Sequence, residues 1–175
     1  NPYIETAKLV ELMRSEMVKK GFGLPIHLKF GEHIIKEHNP YMESHKDRWD
    51  WLPFDKEKLP KTAEYVFFVG CTSSYRQKQI ARATVNILEK LGLDYTIMWR
   101  EGVDEWCCGS PLQRTGQVDK AIAVAEHNLE AIKRTGAKKV ITSCSGCFKM
   151  IGGDYEELYG LKGDFEIVQM TEFLL

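Results

Sequence analysis

The sequence contains 175 residues, of which 43% are hydrophobic and 28% are charged, and its formal net charge is -1. This composition is typical of a globular domain with a sizeable core. The near-neutral charge does not point to a nucleic-acid partner. No apolar stretch approaches the roughly 18 residues that a membrane-spanning helix needs, so we expect no direct membrane span.

The first 60 residues predict a helical segment followed by a linker. Apolar residues at helical spacing indicate a helix over residues 3–20, and a second short helix is predicted over 26–38. Residues 39–60 contain three prolines, many charges and little periodicity, which is typical of an extended linker. Its aromatic residues Trp49, Trp51 and Phe54 are expected to pack it. We predict that residues 1–60 lie outside the α/β core and add no strand to the main sheet.

From residue 61 onward, predicted strands alternate with predicted helices. The strands are predicted over residues 64–70, 95–99, 138–143 and 166–169. The helices are predicted over residues 75–91, 117–135 and 145–158, and from 171 onward. This alternation predicts an α/β fold with an open, mostly parallel sheet flanked by helices on both faces. We therefore divide the chain into a lead-in, residues 1–60, and an α/β domain, residues 61–175.

All five cysteines of the chain lie in the predicted α/β domain: Cys71, Cys107, Cys108, Cys144 and Cys147. Their pattern is C-x35-C-C-G-x34-C-x2-C. Cys71 follows the first predicted strand, the adjacent pair lies in the loop after the second, and the last two follow the third. The carboxyl ends of parallel strands share one edge of a sheet, where α/β proteins build their sites. We therefore predict that the five thiols form one site.

Thiol chemistry at this spacing favours an iron–sulfur cluster. Soft thiolates select such clusters or zinc over hard cations. Two adjacent cysteines do not easily place both sulfurs on one tetrahedral ion, and five exceed the four that one zinc ion or an ordinary cubane needs. Gly109 permits the turn after the pair. Zinc, and a metal-free redox dithiol made of Cys144 and Cys147, remain open alternatives.

Other candidate residues carry weaker signals. Trp106, beside the cysteine pair, either shields the site or belongs to the core. Several basic residues near the predicted site would offset thiolate charge or lie at the surface: Arg76, Arg100, Arg114 and Lys149. The histidines show no ligand spacing, and we expect them to serve packing or the surface, with His127 solvated.

Three short motifs resemble one known family. They are VGC at 69–71, CCG at 107–109 and TSCSGC at 142–147. Together with the helix over 121–129, they resemble the cysteine-rich CCG domain of heterodisulfide reductase-type iron–sulfur oxidoreductases. The likeness runs from about Tyr65 to Leu175, and Ser145 stands where this family usually has proline. NPY at 39–41, followed by Arg48-Trp49, resembles the connection that precedes such a domain.

This resemblance implies a non-cubane [4Fe-4S] cluster held by Cys71, Cys107, Cys108, Cys144 and Cys147, although some domains of this type hold zinc instead and organise a larger reductase. It implies an oxidoreductase subunit that transfers electrons and reduces or oxidises a disulfide or thiol substrate. The expected partners are other redox subunits of ferredoxin, flavin or membrane haem and quinone type. Free thiols suit a reducing compartment, so we expect a cytoplasmic protein, free or held at the cytoplasmic membrane by a partner.

Overall fold

The structure is a computed structural model that describes residues 5–175. A four-stranded parallel sheet forms its centre. The strands are β1 (Tyr65–Phe68), β2 (Tyr95–Thr96), β3 (Trp99–Arg100), β4 (Val103–Asp104), β5 (Lys139–Thr142) and β6 (Glu166–Gln169). The main sheet has the order β2-β1-β5-β6, and all its neighbours are parallel. Strands β3 and β4 form a separate antiparallel hairpin. The predicted α/β fold with a parallel sheet is confirmed.

The helices connect the strands and extend the chain at its start. They are α1 (Thr6–Lys19), α2 (Pro25–Glu37), α3 (Cys71–Tyr75), α4 (Lys78–Lys90), α5 (Ser110–Arg114), α6 (Val118–Arg134), α7 (Ser145–Lys149), α8 (Tyr155–Tyr159) and α9 (Met170–Phe173). A π-helical turn over Met150–Asp154 joins α7 to α8, where the sequence contains Gly152-Gly153. Within residues 5–175 we find no helix with the length and apolarity needed to cross a bilayer.

The second predicted strand is shorter than expected. Only Tyr95 and Thr96 pair with β1, whereas Trp99 belongs to the β3–β4 hairpin. Gly102, at a φ of 73°, lies in the tight turn of this hairpin, a backbone conformation that glycine adopts without steric cost. The hairpin therefore carries the chain away from the sheet before the adjacent cysteines.

Successive side chains of β1 pack on opposite faces of the sheet, as the geometry of a strand requires. Val66 and Phe68 join a cluster with residues of α6 and α8. Phe67 and Val69, the residue directly after β1, join a second cluster with residues of α4. All four side chains are fully buried. The core therefore lies on both faces of β1, and the predicted helical layers cover both.

The lead-in packs closely against the rest of the chain. No residue between 5 and 60 pairs with the sheet, yet Trp51 is fully buried and its ring lies 6.3 Å from that of Phe67. The expectation that this segment lies outside the core is wrong, because Trp49, Trp51 and Leu59 belong to the same buried cluster as Phe67. Residues 39–60 also contain two 3-10 turns, His45–Trp49 and Lys56–Lys58, where an extended linker was expected. The division of the chain at residue 60 stays a prediction.

Replacing Trp51 with alanine tests how much the lead-in stabilises the sheet. We expect Trp51→Ala to lower the free energy of unfolding by about 3–5 kcal/mol, because it leaves a large cavity beside β1. Leu12→Ala, at a side chain that is 64% exposed, is the control and should change it by less than about 0.5 kcal/mol. Urea denaturation of the metal-free protein, monitored by circular dichroism, measures the free energy of unfolding of both variants. If Trp51→Ala and Leu12→Ala had the same denaturation midpoint, the lead-in would not stabilise the core.

Candidate metal centre

The five cysteines come together at the carboxyl edge of the sheet. Cys71 begins α3 directly after β1, the β3–β4 hairpin leads from β2 to the Cys107–Cys108 pair, and Cys144 and Cys147 follow β5. Their thiols interact in a continuous series, in the order Cys71, Cys107, Cys108, Cys147 and Cys144. The structure thus assembles every predicted site residue in one place. Their role as ligands stays a prediction.

Most of this thiol series is removed from water. All five cysteines are free thiols, four of them are buried, and only Cys144 is partly exposed. Cys107, at the centre of the contacts between Cys71 and Cys108, is 2% exposed. A molecule that approaches the sulfurs from solvent therefore meets Cys144 first.

Two glycines allow the backbone to pack closely around the site. Gly109 has a φ of 85°, and a Cβ atom there would lie 2.9 Å from Val124 Cγ2 on α6. Gly70 has a φ of 78°, and a Cβ atom there would lie 3.1 Å from Cys147 Sγ. The expected role of Gly109 in the turn agrees with this geometry. Gly70 was missed, although it stands next to Cys71 in the VGC motif.

Helices α6 and α8 hold the backbone of the cysteine pair. Asn128 Nδ2 donates a hydrogen bond of 3.0 Å to the carbonyl oxygen of Cys107, and its Oδ1 accepts one of 3.0 Å from the backbone N–H of Trp106. The hydroxyl of Tyr155 donates a bond of 2.8 Å to the carbonyl oxygen of Cys108. Both side chains are fully buried, so these bonds satisfy polar groups that water cannot reach. The sequence contains no motif that identifies either residue.

The thiols change one another's pKa values because they are close together. Interaction with the Cys147 thiol, assisted by the backbone N–H groups of Cys147 and Gly146, lowers the pKa of Cys144 to about 6. Hydrogen bonds from Cys107 and Cys147 lower the pKa of Cys108, and the same contacts raise the pKa of both donors. The site therefore favours thiolates at Cys108 and Cys144.

A buried guanidinium lies against the first sulfur of the series. Arg48 Nη2 and Nη1 lie 3.5 and 3.6 Å from Cys71 Sγ, and Nη2 donates a hydrogen bond of 3.1 Å to Glu105 Oε1. The side chains of Arg48 and Glu105 are both 0% exposed. Burial opposes the charge on Arg48, but Cys71 and Glu105 together keep its pKa above the ordinary value. Arg48 thus places a fixed positive charge beside the sulfur of Cys71.

The basic residues named from the sequence pair with other groups. None of them makes a hydrogen bond to a cysteine sulfur within residues 5–175. Arg76 pairs with Glu43, Arg114 with Glu11 and Asp154, Lys149 with Asp154, and Arg100 donates to the carbonyl groups of residues 59–61. The cation beside the thiols was missed because it comes from the segment expected to be a linker.

Trp106 is stacked between two histidines next to the cysteine pair. Its ring centroid lies 3.8 Å from that of His38 and 3.7 Å from that of His127, with nearly parallel planes. Its Nε1 donates a bond of 2.7 Å to Asp104 Oδ2, which also lies 3.0 Å from His45 Nε2. The expectation that His127 is solvated is wrong, because α6 packs this residue against the hairpin. Burial lowers the pKa of His38 to about 4 and also lowers that of His127.

The donor set fits a group held by thiolates. No three Cys, His, Asp or Glu side chains of residues 5–175 are grouped as ligands of a single metal ion. The contacts run instead from sulfur to sulfur over five residues, with Arg48 beside Cys71. Soft sulfur donors of this kind suit iron–sulfur centres or zinc.

The comparison with protein families agrees with this geometry. The family model described as the CCG cysteine-rich domain matches residues 65–152, about half of the chain. The chain belongs to the CCG family. The resemblance expected from the three cysteine motifs is thereby confirmed.

Several curated proteins are similar to this CCG chain over nearly its whole length. One of the subunits of the dihydromethanophenazine:CoB–CoM heterodisulfide reductase from Methanosarcina acetivorans is 46% identical, over 98% of this chain and 42% of the relative. An uncharacterized iron-sulfur protein from Methanocaldococcus jannaschii is 30% identical, over 95% and 32%. The EtfAB:quinone oxidoreductase of Syntrophomonas wolfei is 26% identical, over 95% and 24%. The chain thus spans less than half the length of these relatives, and no solved structure matches it.

Gly109→Ala tests the close approach of the cysteine pair to α6. A left-handed φ costs a residue with a side chain about 1–2 kcal/mol, and the added contact with Val124 costs a further 1–3 kcal/mol or so. Gly92→Ala is the matched control, because Gly92 also has a positive φ but has open space around its Cα. Urea denaturation should show a larger loss of stability for Gly109→Ala. Equal losses would mean that only the backbone conformation matters at Gly109.

The pKa of Cys144 makes its reactivity depend on pH in a defined way. In the metal-free protein, a thiolate forms as pH rises through about 6, well below the value of about 8.5 for an ordinary cysteine. Alkylation of Cys144 by iodoacetamide should therefore increase with a midpoint near that pH. Cys147→Ala removes the largest cause of the lowering and should move the midpoint upward. Peptide mass spectrometry measures the rate, and a midpoint that stays in place would exclude Cys147 as the cause.

Proposed function

We propose that this chain is the part of an oxidoreductase that holds an iron–sulfur cluster and transfers electrons through it. The observation that carries the proposal is the continuous series of five thiols at the carboxyl edge of the sheet. The names of the relatives support it, since they include a heterodisulfide reductase and an iron-sulfur protein.

The residues that would hold the cluster are Cys71, Cys107, Cys108, Cys144 and Cys147. Five donors, two of them adjacent, exceed the four that one zinc ion or an ordinary cubane needs. The resemblance to the CCG domain of heterodisulfide reductase-type proteins supports a non-cubane [4Fe-4S] cluster at these residues. Such a cluster, when bound, supplies a reversible store of electrons. The protein contributes soft donors, a water-poor setting and the positive charge of Arg48, which offsets part of the thiolate charge.

The substrate that best suits this site is a disulfide or the corresponding thiols. Cys144 is the partly exposed sulfur, so a substrate sulfur would approach at this end of the series. Reduction of one disulfide to two thiols consumes two electrons and two protons. The electrons would come from a partner subunit of ferredoxin, flavin or membrane haem and quinone type. The relatives named as a reductase subunit and an oxidoreductase support a place in such a complex. We propose that the complex works in the cytoplasm or at the inner face of the membrane.

Two other functions compete with this one. A CCG domain that holds zinc would organise a larger reductase without transferring electrons itself. A metal-free thiol–disulfide oxidoreductase would use Cys144 and Cys147, and the lowered pKa of Cys144 favours that chemistry. Visible absorption and metal analysis of anaerobically purified protein separate the three. A brown protein with iron and acid-labile sulfide supports our proposal, whereas a colourless protein with zinc, or with no metal, contradicts it.

Serine at either position of the adjacent pair tests the five-thiolate ligand set. We expect Cys107→Ser and Cys108→Ser each to abolish or strongly reduce cluster assembly, because serine offers a harder and much less acidic oxygen. Iron and sulfide analysis after anaerobic reconstitution measures the loss.

Circular dichroism of the same two variants serves as the control for the fold. We expect the α/β spectrum to persist, since both thiols lie outside the strands and helices. If zinc is the natural metal, four cysteines suffice, and at least one variant should keep its full metal content. An unchanged cluster in either variant would contradict the five-thiolate proposal.

A further inference from the structure

Arg48 is buried at the thiol site, although it comes from residues 39–60, the segment expected to be a linker. Its side chain is fully buried, and it contacts both Cys71 and Glu105. The guanidinium also lies 5.7 Å from the ring centroid of Tyr75, which belongs to the same helix as Cys71. We infer that Arg48 is a positioning residue, which fixes the turn that carries Cys71 and holds a positive charge against its sulfur. The electrostatic role, in which Arg48 holds a positive charge against the sulfur, rests on the proposed function.

The positioning role follows from the way Glu105 links Arg48 to β1. Glu105 Oε2 accepts a hydrogen bond of 2.7 Å from the backbone N–H of Val69, and Oε1 accepts one of 2.9 Å from that of Gly70. Arg48 binds the same carboxylate and also contacts the Cys71 sulfur. The turn over residues 69–71 is therefore held at its N–H groups by Glu105 and at its sulfur by Arg48.

The segment that supplies Arg48 is itself folded onto the site. Asn39 is fully buried, and its Nδ2 donates bonds of 2.8 and 2.9 Å to the carbonyl oxygens of Glu37 and Glu43. The hydroxyl of Tyr41 lies 2.8 Å from Thr72 Oγ1, next to Cys71. Arg48 thus reaches the sulfur from a segment that contacts α3 independently.

The charge on Arg48 has a predictable effect on a redox centre at these cysteines. A buried charge is tolerated only where it is paired and hydrogen-bonded, and the partners of Arg48 are one carboxylate and one sulfur. A positive charge favours the form of a centre that carries more electrons. Neutralising Arg48 should therefore make the reduction potential of the centre more negative.

Two substitutions separate position from charge. Arg48→Gln removes the charge and most of the hydrogen bonds, whereas Arg48→Lys keeps the charge but loses the planar fork that reaches two partners. Arg134→Gln is the matched control, because Arg134 is 54% exposed, pairs with Glu130 and makes no hydrogen bond to a cysteine. If Arg48→Gln alone does not fold, Arg48→Gln combined with Glu105→Gln replaces it, since this double variant leaves no unpaired buried charge. It is then compared with Glu105→Gln alone, because Glu105 itself binds the N–H groups of residues 69 and 70.

Amide hydrogen exchange of the metal-free protein tests whether Arg48 fixes the turn over residues 69–71. In Arg48→Gln the peptide that contains residues 69–71 should exchange about tenfold faster or more, as expected when a charged hydrogen-bond network is lost. Arg48→Lys should lie between this variant and the wild type, and Arg134→Gln should match the wild type. Unchanged exchange at residues 69–71 in Arg48→Gln would overturn the positioning role.

Redox titration of the reconstituted protein tests the effect of the Arg48 charge on the reduction potential of the centre. We expect a more negative midpoint potential for Arg48→Gln and a value close to that of the wild type for Arg48→Lys and Arg134→Gln. Equal shifts in the two Arg48 variants, or no shift, would overturn the electrostatic role. A wild-type protein that takes up no cluster would count against the proposed function instead, and the exchange experiment would then decide the role of Arg48.

Discussion

Parallel pairing at β1 is the constraint on which the site depends. β1 pairs with β2 on one side and with β5 on the other, and in both pairs the strands run in the same direction. The carboxyl ends of these strands therefore lie side by side, although the connections between them are long. Cys71 and Cys107, with 35 residues between them in the sequence, come into contact because each of them follows one of these ends. Antiparallel pairing would place successive strand ends at opposite edges.

Burial of the cysteines imposes a second requirement, since the backbone around them cannot bond to water. An unsatisfied buried donor or acceptor costs about 1–3 kcal/mol. Asn128, Tyr155 and Glu105 meet this requirement for the cysteine pair and for the turn after β1. These three side chains come from α6, from α8 and from the residue that follows the β3–β4 hairpin, so all three parts must be packed in place to satisfy the site.

The lead-in has a direct part in the site. His38 directly follows α2. Its carbonyl oxygen accepts a hydrogen bond of 2.9 Å from the backbone N–H of Cys107, and its ring stacks on Trp106. The following segment brings Arg48 to the Cys71 sulfur. The thiols are therefore enclosed by the α/β sheet on one side and by residues 38–48 on another. Cys144 remains the partly exposed member of the series, and the proposed exchange of electrons with a substrate would occur there.

The sequence by itself determined the class of fold, the four strands of the main sheet and the five cysteines that meet at its edge. It did so because strand and helix periodicity, and the position of each cysteine after a strand, are local properties of the chain. Only the tertiary structure decided that Arg48, and none of the basic residues near the motifs, lies against a sulfur. Only the tertiary structure showed that His127 is packed against Trp106. Both outcomes depend on which distant segments fill the space around the thiols. Packing and the pairing of buried charges select those segments, and no local pattern in the sequence indicates the choice.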